Sequence, residues 1–214
     1  MKKIIKIILL LIISVTTFSK EGIDTLFLYN NYHLEGKIKY NIFKMAVNGY
    51  EKIGNEENKY FTIIDYSKPS YEKRMVILNL EDKNLEYYTY VAHGKNSGAE
   101  KAIAFSNKLN SYKSSIGFYM TGKPYYGKFG YSLRLKGLEE NFNSNAKIRN
   151  IVIHGLGENE NKSIKKFGFL SRTEGCPAIP KKISREVIDK IKNGSVIFIY
   201  GIDNNYLKES NYIK

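Results

Sequence analysis

From residue 60 onward the chain is a succession of short runs rich in β-branched and aromatic residues, at 60–66, 74–80, 85–92, 114–121, 131–135, 151–154 and 195–200. Gly, Asn, Asp and Pro punctuate them. Runs of this length between turn residues form strands, because branched and aromatic side chains pack on a pleated surface and turn residues break it. Glu81-Asp82-Lys83-Asn84 joins the second and third runs as a hairpin, and Gly122-Lys123-Pro124 opens the turn of another whose return strand is 131–135. The run 151–154, Ile151-Val152-Ile153 ending in His154, has the character of a buried strand.

Helical periodicity is scarcer. Between residues 34 and 53, Ile38, Ile42, Met45, Ala46, Tyr50 and Ile53 recur at three- and four-residue spacing and predict one amphipathic helix. Ser184 can cap a second, ending at Ile191. The polar stretch 138–148 reads as a surface helix, and the polar tail 203–214 as frayed. The expected fold is a mainly β sandwich or barrel with a few peripheral helices, in one domain without repeats or linkers.

The N-terminus narrows the setting. Met1-Lys2-Lys3 precedes an apolar run from Ile4 to Phe18 broken only by Lys6, with Thr17 and Ser19 as small residues beyond the apolar core. That is the pattern of a secretory signal at 1–19, leaving a single domain at 20–214. The run is short against the roughly 20 residues of a membrane span, so no permanent span is expected; an uncleaved anchor is the alternative. Removing Lys2, Lys3 and Lys6 from a chain of +13 leaves +10. Such a balance suits nucleic acid, anionic lipid or an acidic polymer. No RNP, helix-turn-helix or zinc-finger pattern is present, which argues against nucleic acid and for an anionic wall polymer.

Cys176 is the only cysteine. An exported chain normally pairs its cysteines, so a lone one is either buried and idle or kept because it reacts. Gly175 and Pro177 put it on a tight turn, and His154-Gly155 ends a strand 22 residues earlier. A thiol and an imidazole are the parts of a cysteine nucleophile and its base, which points to acyl transfer. His93 opens the Gly-rich loop His93-Gly94-Lys95-Asn96-Ser97-Gly98 and either lines a cleft or finishes a turn. No CxxC or HxxxH spacing supports a metal, and no cofactor is expected.

His154-Gly155 and Thr173-x-Gly175-Cys176 resemble the His-Gly and Ser/Thr-x-Gly-Cys motifs of the YkuD-type L,D-transpeptidase catalytic domain. Val91 to Gly98, Ser114 to Tyr119, Tyr126-Gly127-Lys128, Ser132 to Leu135 and Gly175-Cys176-Pro177-Ala178 extend the likeness to the murein L,D-transpeptidase subfamily, over residues 34–200. The resemblance implies Cys176 as nucleophile, His154 as general base and the Gly175 carbonyl as the group orienting the imidazole. It implies peptidoglycan stem peptides as donor and acceptor, a thioester intermediate, and acylation of the thiol by a carbapenem. Water as acceptor would make the activity an L,D-carboxypeptidase, and loss of chemistry a silent wall-binding module.

Around that centre, His93, Gly94, Lys95, Ser115, Gly117, Gly155, Arg172 and Thr173 are the candidate substrate-binding residues. Arg172 offers a planar fork for a carboxylate and Thr173 a short local hydrogen bond; both can equally organise the cysteine turn. The turn at Gly175–Cys176 is a natural source of oxyanion donors. Glu174 would raise the neighbouring thiol's pKa, with Arg172 as the offsetting charge.

Overall fold

The strands β1 (Tyr60–Asp65), β2 (Met75–Asn79), β3 (Asn84–Thr89), β4 (Gly117–Gly127), β5 (Gly130–Gly137), β6 (Val152–Gly155), β7 (Ala178–Ile179) and β8 (Val196–Tyr200) form one sheet in the order β3-β2-β1-β8-β4-β5-β6-β7. They belong to a computed structural model that describes residues 24–54 and 58–214. The secretory signal expected at 1–19 lies outside the described residues. β1 pairs with β8 and β6 with β7 in parallel; the other neighbours are antiparallel.

The chain just past β3 meets β7 through an Ala92–Ala178 bridge, with Ala92 N–H donating to the Ala178 carbonyl at 2.8 Å. That contact brings the two ends of the sheet together, so the fold is a nearly closed barrel rather than a two-sheet sandwich. Closure is what brings the His93 loop, β6 and the cysteine turn to one place.

β1, β2 and β8 are buried along their whole length, which is why they are predominantly apolar, with Thr62, Asp65 and Asn79 as buried polar exceptions. The helix α2 (Tyr40–Ile53) buries Ile42, Phe43, Ala46 and Val47 and ends at Gly54 in the left-handed conformation, a common helix stop. At Gly49 it touches the Phe118 ring so closely that a Cβ would lie 2.0 Å from it.

Several local expectations are corrected. Gly122-Lys123-Pro124 is not a turn: β4 runs through it with a register shift between Thr121 and Pro124, where a bulge tolerates a residue lacking an N–H donor. The turn comes later, as Lys128-Phe129 between the paired glycines Gly127 and Gly130. The helix α4 (Lys181–Ile191) begins at Pro180 rather than at Ser184, whose hydroxyl donates inside the first turn to the Lys181 carbonyl at 3.0 Å. Residues 138–148 hold only a single 3-10 turn, Ser144–Ala146.

The tail is not frayed. It forms α5 (Asn204–Glu209), with Tyr206 fully buried; Tyr206 and Ser210 donate to the Glu139 carboxylate, and Tyr212 packs on Phe118. Two further helices, α1 (Thr25–Asn31) and α3 (Glu160–Phe167), start where the side chains of Asp24 and Asn159 accept from first-turn N–H groups.

Candidate active site

The cysteine turn is built by Thr173. Its hydroxyl donates to the Cys176 carbonyl at 2.7 Å and accepts from Gly175 N–H at 3.1 Å, closing a loop of four residues. Gly175 has φ +123, and a Cβ there would meet the Lys113 carbonyl at 2.8 Å, so only glycine lets the turn approach that backbone. Cys176 is 5% exposed, and its thiol points toward the Asn150 carbonyl, with sulfur and oxygen 3.6 Å apart.

Burial raises the thiol pKa above its ordinary value. The Val152 backbone N–H and the Arg149 charge pull the other way, while Glu174 adds to the rise. The offsetting cation is therefore Arg149, not Arg172. Arg149 is held by the carbonyls of Ser106 and Lys113, at 2.5 and 2.6 Å, and also donates to the Ser115 hydroxyl. Glu174 in turn meets Lys95 at 3.8 Å.

His154 sits in β6 between Ser132 of β5 and Ala178 of β7, two residues past Cys176. Its Nδ1 is 2.8 Å from the Gly155 carbonyl, which can only accept, so Nδ1 carries the proton and Nε2 a lone pair. His154 is 5% exposed, and its Nε2 has no hydrogen-bond partner among the described residues. Burial lowers its pKa despite the Gly155 bond. Phe129, from the β4–β5 turn, stacks on the ring at 4.4 Å between centroids and 14° between planes. The orienting carbonyl is thus that of Gly155. The Gly175 carbonyl accepts from Ser114 Oγ at 3.1 Å instead, which corrects the role expected of it.

His154 and Cys176 line one cleft of about 930 Å³. Lys95, Gly155, Arg172 and Thr173 line it too. A second cavity of about 320 Å³, bounded by Tyr125, Arg149, Asn150 and Val152, also borders Cys176. Lys128, Phe129, Glu174 and Cys176 border both.

Four candidates lie elsewhere. His93 is fully buried, its Nε2 donating to the Gly98 carbonyl at 3.2 Å and its Nδ1 accepting from Arg74 at 2.8 Å. Gly94 is backbone scaffolding: its N–H donates to Ser114 Oγ, and a Cβ would meet the Tyr112 carbonyl at 2.5 Å. Ser115 is buried against Tyr119, their oxygens 2.7 Å apart. Gly117, at φ +104, faces the Glu139 carboxylate. The loop these residues shape still walls the cleft, since Thr173 N–H donates to the His93 carbonyl and Lys95 N–H to the Thr173 carbonyl. Arg149, Phe129 and Gly155's carbonyl escaped the sequence reading because no motif spacing marks them.

Barrel and cleft define a domain that presents a single thiol and an imidazole to a groove. The chain belongs to the L,D-transpeptidase catalytic domain family, whose model matches residues 34–200. No curated protein sequence matches it. Similar solved structures include an L,D-transpeptidase from Mycobacterium smegmatis, at 8% identity and TM-score 0.42, covering 67% of this chain and 59% of that one. Another is the K307A mutant of the helical cell shape determining protein Pgp2 from Campylobacter jejuni, at 12% identity and TM-score 0.47, covering 77% and 55%. The chain thus spans about three-fifths of the first of these and less of the second.

Proposed function

We propose that this domain, residues 20–214 of an exported chain, is a cysteine acyltransferase that crosslinks peptidoglycan stem peptides by L,D-transpeptidation. The observation that carries the reading is that Cys176 borders two cavities and that His154, whose buried Nε2 has no partner among the described residues, lines the larger. A transfer between two peptides needs access for both to one nucleophile.

The thiol pKa is raised and the imidazole pKa lowered, so both groups are neutral at neutral pH. Proton transfer therefore accompanies attack rather than preceding it. As Cys176 Sγ bonds to the carbonyl carbon of the donor, its proton passes to His154 Nε2, and the imidazolium forms while Nδ1–H stays on the Gly155 carbonyl. Gly175 N–H is committed to Thr173, which leaves the Cys176 N–H as the turn's oxyanion donor. His154 then gives its proton to the departing amine of the terminal D-residue, leaving a thioester. The acceptor amine attacks that thioester, loses a proton to Nε2, and the thiolate leaves and is reprotonated. Water in place of the amine gives the L,D-carboxypeptidase product.

Incubating the protein with a tetrapeptide stem and recording the intact mass tests this. The expected result is an adduct on Cys176 lacking the terminal residue, followed by crosslinked dimer when acceptor is added. A tripeptide product alone assigns the carboxypeptidase. No adduct, with normal alkylation of the unfolded chain, would sink acyl transfer and leave the silent wall-binding module. Export itself is checked by N-terminal sequencing of the mature protein, which should begin at Lys20.

A further inference from the structure

Cations are concentrated at the larger cleft. Lys95, Lys128, Arg172, Lys181 and Arg185 line it against Glu158 and Glu174, whereas the whole chain has 34 basic to 21 acidic residues. Three of the five gather where the first turns of α4 face the β4–β5 turn.

Arg185 is already positioned there. It donates to the Tyr126 hydroxyl at 2.8 Å and stacks on the Tyr131 ring at 5.1 Å, yet no carboxylate lies within ion-pair distance of it among the described residues. Of the acids along α4, Glu186 is engaged with Tyr87, while Asp189 bonds Tyr131 and Lys192 and its charge also acts on Arg185 without an ion-pair contact. Lys181 opens the helix, and Pro180 before it supplies no side-chain cap to the first N–H groups. His154, whose buried Nε2 has no partner among the described residues, lines the same cleft. A guanidinium held by two tyrosines, an ammonium and an uncapped helix start make a receptor for a planar anion.

We propose that Arg185 and Lys181, with Lys128 across the cleft, form a carboxylate subsite that selects a peptide carrying a free carboxylate over its amidated form. The proposal rests on the reading that this cleft holds a peptide donor. The carboxylate is either the peptide's C-terminus or an acidic side chain, and the same chemistry recognises both.

The test uses Cys176→Ala protein, so that binding is read without turnover. A tetrapeptide stem is titrated calorimetrically at low ionic strength in three forms: free acid, C-terminal amide, and side-chain amide with a free terminus. One amidation should weaken binding about tenfold, the loss expected for a charge-assisted hydrogen bond, and so identify the carboxylate that is read. Adding Arg185→Gln or Lys181→Gln should bring the free acid down to the amide's affinity. Equal affinity for all three forms, no binding of any, or discrimination that survives both Gln substitutions overturns the subsite. Thioester formation by wild-type protein is measured separately: turnover without acid preference sinks the subsite alone, and selective binding without turnover sinks the acyl-transfer reading alone.

Discussion

Cys176 and His154 are both shifted toward their neutral forms, and this fixes what pH should do to the site. Iodoacetamide reacts with the thiolate, so alkylation of native Cys176 should rise only above the ordinary thiol range of about 8.5. Arg149→Gln, which removes the countering cation, should move that rise higher still. A midpoint below the ordinary range, followed by intact mass across a pH series, would mean a preformed thiolate. The lowered imidazole pKa puts the acidic limb of acylation below about pH 6.5. His154→Ala should lose about 100- to 10,000-fold in single-turnover acylation, the usual worth of a positioned general base, with its circular dichroism unchanged. Cys176 and His154 were legible in the sequence because a lone thiol on a Gly-Pro turn and a histidine ending an apolar strand are chemically conspicuous. The carbonyl that orients the ring was not: whether Gly155 or Gly175 accepts depends on a side-chain rotamer and on Ser114 claiming the other, and neither is written in spacing.

The β4–β5 hairpin decides how firmly the imidazole is held, because its turn residue Phe129 covers the ring and borders both cavities. Phe129→Ala should lower the acylation rate about tenfold through loss of positioning, with Phe129→Tyr restoring it. An unchanged rate would make the stack incidental. The same sheet carries a backbone constraint at Gly117, where a Cβ would lie 2.2 Å from Glu139 Oε2 at φ +104. Gly117→Ala should therefore destabilise the protein by about 2 kcal/mol or more, measured by urea denaturation. A sequence reading locates strands well where burial is two-sided, as in β1, β2 and β8, since most positions there are apolar. It misplaced the hairpin turn because Gly122-Lys123-Pro124 looks like a turn and becomes a bulge once β5 and β8 pair on either side of β4. It missed α5 because the tail's apolar anchors, Tyr206, Tyr212 and Ile213, are few and only tertiary packing reveals their partners.

For the whole molecule, a buried polar knot that no local pattern announces sits beside the seam where the barrel closes. Arg74 is fully buried, donates to the Val91 and Lys68 carbonyls and to His93 Nδ1, and has no acidic ion-pair partner among the described residues. His93 continues the chain of bonds to Gly98, and its own carbonyl accepts from Thr173 N–H at the start of the cysteine turn. Burial and the Arg74 charge push the His93 pKa down to about 4, against an ordinary 6.5. Between those values the unfolded chain binds a proton that the folded chain refuses. The stabilisation is thus complete above pH 6.5 and is lost as pH falls toward 4, and a shift of this size corresponds to about 3 kcal/mol. Urea denaturation from pH 4 to 7 should show stability climbing across that window. His93→Gln keeps a donor and an acceptor but does not titrate, so most of the climb should disappear while the protein still folds. A slope unchanged in that variant would show that the acid sensitivity does not come from His93, leaving it to other groups such as His154, which is shifted in the same direction; Asp65 and Glu139, whose pKa values burial raises, work against the climb.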